Sequence, residues 1–420
     1  MSDELTAPIP ERLRFPRQRL LPYPAVQPVN WVRPIRLLLL IGLTIYAVAF
    51  TARAYLRGYF VFFPDYTRWM LTGGPPLFRS GPTHLFVLMA DHFEPDYDAA
   101  RMDEWARRYA ALAARHRDSA GRPPQHTWFY PGEQYSREIY RTLRTMTAAG
   151  YGEVEMHYHH EFDTADTLRD SLREAIDEFK QFGFLETVDG KTAFAFVHGN
   201  DGLDNSNGDW VCGVRREIEL LQSLGCFADF TFPSLFEDSQ PSSVNSIYAT
   251  RDDDLPKSYE RHLPLSAIGD GTAQLMIFQG PLIFSPTLNM RHLFLHLDDG
   301  DVHASEHAAP ARVDAWVRAN VHVSQRPDWV FVKLFAHGAS TPAEMDAVLG
   351  ADFDETLSYL EGEYNDGTKY VLHYITAREA YNLARAAGEG ARGEPQQYLN
   401  AYIRPYIAGS PRRRCKQGVQ

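Results

Sequence analysis

The sequence predicts an α/β protein whose strands close into a barrel, preceded by one N-terminal transmembrane helix. Three observations carry that expectation. From residue 84 onward, short apolar runs alternate with amphipathic helical stretches, the pattern of a parallel sheet. The runs are apolar at nearly every position, as strands covered on both faces must be. Ahead of them stands an uncharged run from Leu37 to Ala52, bracketed by Arg36 and Arg53.

Residues 1–33 are rich in Pro and Arg, show no periodicity and read as a cytoplasmic tail. Residues 34–55 read as the transmembrane anchor. The run is short against the roughly 20 apolar residues of a span, and snorkelling of its two arginines extends it. Arg12, Arg14, Arg17, Arg19 and Arg33 precede it, so the positive-inside rule keeps the N-terminus in the cytoplasm. The folded domain is then expected outside the inner (cytoplasmic) membrane. The aromatic stretch "YFVFFPDYTRW" that follows either rests at the membrane interface or docks on the domain.

The domain is expected over residues 82–390. "HLFVLMA" (84–90) reads as its first strand and "DEWARRYAALAARH" (103–116) as a helix. "HTWFYPG" is a strand, "SREIYRTLRTMTAAG" a helix stopped by Gly150, and "EVEMHYH" the third strand. In the next helix Leu168, Leu172, Ala175, Ile176 and Phe179 share one face, and Gly183 ends it. "AFAFVHG" (193–199) is a strand, and "VRREIELLQSLG" a helix with Val214, Ile218 and Leu221 on one stripe. "CFADFTF", "QLMIFQG", "WVFVKLFAH" and "YVLHYI" read as further strands, with helices near 311–321, 342–362 and 376–387. Some seven or eight such units fit a barrel better than an open sheet. Residues 236–281 look like an irregular insertion, and 391–420 like a C-terminal tail.

Composition narrows the function. A formal net charge of −12 argues against a nucleic-acid partner. Three cysteines make no disulfide framework and show no zinc-binding spacing. The basic "PRRRCKQ" tail reads as a solvated end.

In such folds reactive groups sit at the C-terminal ends of strands. The first strand ends in Asp91-His92-Phe93-Glu94, and the third in His157-Tyr158-His159-His160-Glu161. The fourth ends in His198-Gly199-Asn200-Asp201 and runs into Asp204-Asn205; a late strand ends in His337-Gly338. Imidazole and carboxylate together suit zinc or a similar divalent ion. His92, His157, His159 and His160 are the candidate ligands, with the choice among the last three left open by spacing alone. Asp91 is placed as a ligand or a base, and His337 as the acid that protonates a leaving amine. Asn200, Asp201, Asp204, Asn205 and Trp210 are candidate substrate contacts, although "GNDGLDNSNG" also has the composition of a turn. The His/Asp-rich stretch 296–307 reads as a solvated turn around Gly300.

The order of these motifs resembles the polysaccharide deacetylase superfamily over roughly residues 82–385, in a divergent deacetylase-like branch. That resemblance implies a distorted β/α barrel and a metal-dependent carbohydrate deacetylase, with Asp91 at the position of the base. It departs in having His92 where the family carries a ligand Asp, with Glu94 as a replacement carboxylate. Position 161, four after His157, is glutamate where a second histidine is usual. The "LFAH" ending in His337 resembles the late motif that supplies the acid. The expected function is removal of acyl groups, acetyl above all, from a glycan with a divalent ion, zinc first. Two alternatives stand beside it. One is a glycoside hydrolase using a pair among Asp91, Glu94, Asp201 and Asp204. The other is a non-catalytic glycan-binding or assembly protein in which Trp128, Tyr130 and Trp210 stack on sugar rings.

Overall fold

The structure, a computed structural model, describes residues 32–56, 58–72, 81–208, 213–269, 274–285 and 296–409. The chain divides into two units, Met1–Ala52 and Arg53–Gln420. The described part of the first belongs to helix α1 (Val32–Leu56), which is long and apolar enough to cross a membrane. Its 25 residues extend about 37 Å at 1.5 Å each, against a hydrocarbon core about 30 Å thick.

The second unit is a mixed α/β domain. It opens with helix α2 (Tyr59–Thr72) and strand β1 (Thr83–His92). Then come α3 (Ala99–Ala113), β2 (His126–Pro131), α4 (Arg137–Ala148), β3 (Gly152–Tyr158), α5 (Ala165–Lys180) and β4 (Phe194–His198). The chain continues through α6 (Glu217–Ser223), β5 (Cys226–Asp229), β6 (Ile247–Thr250), β7 (Leu275–Phe278), β8 (Ile283–Ser285) and β9 (His296–Asp298). It closes with α7 (Pro310–Ala319), β10 (Val321–Val323), β11 (Arg326–Ala336), α8 (Pro342–Leu349), α9 (Ala351–Glu363), β12 (Tyr370–Tyr374) and α10 (Ala377–Gly388).

The large sheet runs in the order β10-β11-β1-β2-β3-β4-β5-β7-β6. Its body from β11 to β7 is parallel, and β10 and β6 are antiparallel at the two ends. Strand β1 gives one edge to β11 along residues 84–91. It divides the other, pairing with β12 at residues 83–87 and with β2 at residues 89–92. That hand-over at mid-strand is a local irregularity of the sheet.

The sheet curls about one interior. Phe86, Leu88 and Ala90 of β1 pack inward with Phe129, Val197, Phe230, Phe278 and Phe331. Phe331 of β11 meets Phe278 of β7 edge-on at 5.4 Å, although the two strands lie near opposite ends of the sheet path. Lys333 of β11 donates across the same interior to the carbonyls of Phe230 and Phe232, at 2.5 and 2.6 Å. The terminal strands β10 and β6 approach within 8 Å. Among the described residues no hydrogen-bonded ladder joins them. Helix α10 packs into the same inner cluster and is buried along almost its whole length.

The alternate residues of the strands face the helices. Leu85, Val87 and Met89 pack with Trp105 and Tyr109 of α3 and with Trp128, Val154 and Met156. Each fully buried large apolar side chain contributes about 1.5–3 kcal/mol. Helix α5 buries the five residues its periodicity predicts, Leu168, Leu172, Ala175, Ile176 and Phe179, and opens with a capping box between Thr164 and Thr167. The region near 342–362 holds two helices instead of one, divided at Gly350. Residues 236–281 contain β6 and β7, so part of the expected insertion belongs to the sheet.

Candidate metal centre

Strand β3 explains the histidine cluster at 157–160. Its odd positions, Glu153, Glu155 and His157, bond to inner elements, while Val154 and Met156 join the helix-side core. Glu153 pairs with Arg378 of α10 at 2.9 Å. Glu155 accepts from the Ala195 amide at 2.7 Å and from the Tyr406 hydroxyl, and burial pushes its carboxyl well above the usual range. His157 stands last in this polar file, where the strand reaches the rim.

At the rim, His157, His159 and Glu94 converge. The Nε2 of His157 lies 2.8 Å from Glu94 Oε1, and the Nε2 of His159 lies 3.2 Å from the same oxygen. The outer nitrogens are both held. His157 Nδ1 donates to the Val197 carbonyl at 3.1 Å, and His159 Nδ1 bonds Glu133 Oε1 at 2.5 Å. A carbonyl only accepts, so the proton of neutral His157 sits on Nδ1 and the Nε2 lone pair faces a carboxylate. That contact needs a proton or a cation between the two acceptors. Burial lowers the His157 pKa and resists the extra proton, although Glu94 opposes that shift. An outer carbonyl or carboxylate on Nδ1 with Nε2 turned inward is the support that metal-bound histidines have.

The charges follow from these contacts. Burial raises the Glu94 pKa, but its contacts with the His157 and His159 imidazoles outweigh it and hold the carboxyl well below its ordinary value. Burial depresses His159, yet its bonds to Glu133 and Glu94 win and lift it to about 10. His92 stands alongside, its ring 4.9 Å from that of His157 and 4.7 Å from that of His337. Burial, then the two neighbouring imidazoles, push its pKa far down, so it is neutral.

A second cluster joins His160, His198 and Glu217. His160 Nε2 lies 2.7 Å from His198 Nε2 and 3.2 Å from Glu217 Oε1. Here the tautomer is opposite. His198 Nδ1 accepts from the amides of Asn200 and Gly202, at 3.2 and 3.3 Å, which puts the proton of neutral His198 on Nε2. That proton bonds His160 Nε2, whose lone pair then also faces Glu217 Oε1, and His160 Nδ1 is buried without a hydrogen-bond partner. Both clusters have donor sets that could hold a metal; only in the first are both outer ring nitrogens held by a carbonyl or carboxylate.

No protein-family model matches this chain, and no curated protein matches it. The reading of the site therefore stands on its geometry.

The remaining candidates separate sharply. Asp91 does not reach the histidines. It follows Leu85, Val87 and Met89 in facing the helices, bonds His126 Nε2 through Oδ2 at 2.9 Å, and accepts the Gly338 amide at 2.8 Å. Its expected role as the base is corrected to that of an anchor for the turn after β11. His160 likewise leaves the expected ligand set for the second cluster. His337 is half-buried beside His92. Asn200 and Asp201 line an open cavity of about 520 Å³ with Asn207, Phe236, Glu237 and Asp238. Burial, then the Glu237 charge, push the Asp201 carboxyl up to about 7. Asp204 and Asn205 are buried away from that cavity; Asp204 accepts the Ser258 amide at 2.6 Å and holds the loop. Trp210 lies outside the described residues. Trp128 and Tyr130 are wholly buried in the helix-side core, where no sugar reaches them.

Two carboxylates escaped the sequence reading. Glu217 opens α6 on the side that buries Ile218 and Leu221, and a charge among buried apolar positions is the signal that marks it. Glu133 follows the Pro131-Gly132 turn after β2 and carries no periodic signal. The glycines after strand-end histidines were also informative. A Cβ on Gly199 would lie 2.3 Å from the His159 ring, and one on Gly338 would lie 2.6 Å from Asp91 Oδ2.

Proposed function

We propose that the chain is a membrane-anchored, metal-dependent hydrolase that removes acyl groups, acetyl above all, from a carbohydrate. The observation that carries this reading is the turning of two imidazole Nε2 atoms onto one Glu94 oxygen, with both Nδ1 atoms held by acceptors. Two imidazoles and one carboxylate are a donor set suited to zinc. A divalent ion held there supplies Lewis acidity to the acyl carbonyl.

The chain's own groups do the rest. Asp201 lines the neighbouring cavity with a carboxyl near 7 and takes a proton from the attacking water. The water oxygen bonds to the acyl carbon, and the bond from that carbon to the sugar nitrogen or oxygen breaks. His337 gives a proton to the leaving atom. Asn200 and Asn207 offer amide groups to sugar hydroxyls in the cavity. His92, neutral and buried, packs between His157 and His337 and fixes their separation.

The curled sheet is read as a distorted β/α barrel left open between β10 and β6, which agrees with the resemblance to polysaccharide deacetylases. Glu94 takes the carboxylate role that the resemblance assigns next to Asp91. The paired-carboxylate alternative loses support, because Asp91 and Asp204 are both fully buried in structural bonds. The arginine-rich leader before α1 favours a domain outside the inner membrane.

The test uses the full chain purified in detergent. Metal analysis is expected to find one divalent ion per chain. Acetate release from acetylated glycans is expected to stop with a chelator and return with zinc. Release that persists in chelator, or a chain with no metal, would overturn the proposal.

A further inference from the structure

Helix α2 carries two apolar stripes, and the domain covers only one. Tyr59, Phe62 and Tyr66 are buried with Val244, Leu282 and Leu297. Three hydrogen bonds lock this face: Phe284 N to the Tyr66 hydroxyl at 2.8 Å, Trp69 Nε1 to the Ala319 carbonyl at 3.1 Å, and Val244 N to Asp65 Oδ2 at 3.1 Å. At roughly 100° per residue, Phe60, Phe63, Pro64, Met70 and Leu71 fall on an adjoining stripe, interrupted only by Thr67. Phe60 is 52 % exposed, Met70 54 % and Leu71 81 %. Asp65 borders the covered face and pairs at 3.0 Å with Arg68, which lies on the remaining side with the exposed Val61. Contiguous apolar surface of this kind marks an interaction site.

Chain connectivity says what covers it. Helix α1 ends at Leu56 and α2 begins at Tyr59, so the link between them spans at most about 10 Å. A helix this close to the end of a membrane span starts in or beside the headgroup layer. An interfacial helix has the features seen here: one apolar face for lipid and charged residues beside it.

We propose that α2 lies in the bilayer interface with Phe60, Phe63, Met70 and Leu71 among the lipids, and so holds the rim of the cavity at the membrane surface. Tyr59 stacks on Phe236 at 5.9 Å, and Phe236 lines the cavity with Asn200, Asp201 and Glu237. The substrate class that fits is a glycan tethered to the membrane or laid against it, rather than a free soluble sugar. The proposal rests on reading α1 as a membrane span.

The experiment uses the full chain with Cys212 and Cys415 replaced by serine, reconstituted in phosphatidylcholine–phosphatidylglycerol vesicles. An environment-sensitive fluorophore is placed at Leu71→Cys and, as a control, at Thr72→Cys on the far side of α2. The label at 71 is expected to emit to the blue and to be quenched by brominated acyl chains, and the label at 72 to remain water-like. Water-like emission at 71, or a blue shift that brominated lipid does not quench, would overturn the proposal and point to a protein partner or a second copy. An alkaline carbonate wash separates the two readings. Retention of the chain with an unquenched label sinks the α2 proposal alone; extraction of the chain sinks the α1 anchor and this proposal with it.

Discussion

Glu94 Oε1 and His157 Nε2 stand 2.8 Å apart, 63 residues distant in the chain, and each presents a lone pair to the other. The Val197 carbonyl fixes this by claiming the only proton a neutral His157 has. His198, on the neighbouring strand β4, is the counter-example, its Nδ1 filled by two amides and its Nε2 protonated. The two clusters therefore differ in how their imidazoles are supported. In the first both Nδ1 atoms are held by acceptors, and in the second His160 Nδ1 is buried without a hydrogen-bond partner.

Removing the outer support of His159 should weaken the ion without unfolding the chain. Glu133→Gln is expected to lower metal affinity about 10–100-fold, the usual effect of losing such a partner. Glu94→Gln should cost more, because it removes a ligand. Glu217→Gln should leave one ion per chain. Competition with a chromogenic chelator measures all three.

Metal binding should release a proton. His159 is held at about 10, so it is protonated at neutral pH and must lose its Nε2 proton to bind an ion. Affinity is then expected to rise roughly tenfold per pH unit between pH 6 and 9, and to level off above the histidine's pKa. Calorimetry in buffers of different ionisation enthalpy should give about one proton released per ion. A pH-independent affinity would assign the proton elsewhere.

The Asp201 carboxyl, raised to about 7, sets the expected pH profile. A base must be deprotonated, so hydrolysis should increase as pH rises through about 7 and then flatten. Asp201→Asn should lower kcat about 10²–10⁴-fold and abolish that limb while leaving the ion bound. Retention of the limb in the variant would show that another group sets it.

Gly199→Ala tests the packing of the rim. The new Cβ would fall 2.3 Å from the His159 ring, which must shift from its present position. Overpacking of this kind costs about 1–3 kcal/mol. Metal affinity is expected to fall more than the melting temperature does. Unchanged affinity would mean that the ring has room to yield without leaving the cluster.

Much of the fold was legible because helical periodicity is a strong signal. The five residues buried by α5 are those its spacing selects. The strand ends were legible too: Glu94, His157, His159, His160 and His198 lie at them, while Glu217 lies on α6. Which way each side chain turns was not. Strand β1 is buried on both faces, so it lacks the polar–apolar alternation that separates inside from outside. Asp91 and His92 look equivalent in such a run, yet one faces the helices and the other the interior. In β3 the alternation of Glu153, Glu155 and His157 with Val154 and Met156 did carry that information. Strands β6, β8, β9 and β10 are three or four residues long, too short for a period to register.

The most direct measurement is anomalous diffraction at the metal absorption edge from crystals of the full chain. One peak is expected about 2.0–2.2 Å from His157 Nε2, His159 Nε2 and a Glu94 oxygen. No peak at that position, or a single peak among His160, His198 and Glu217, would contradict the account.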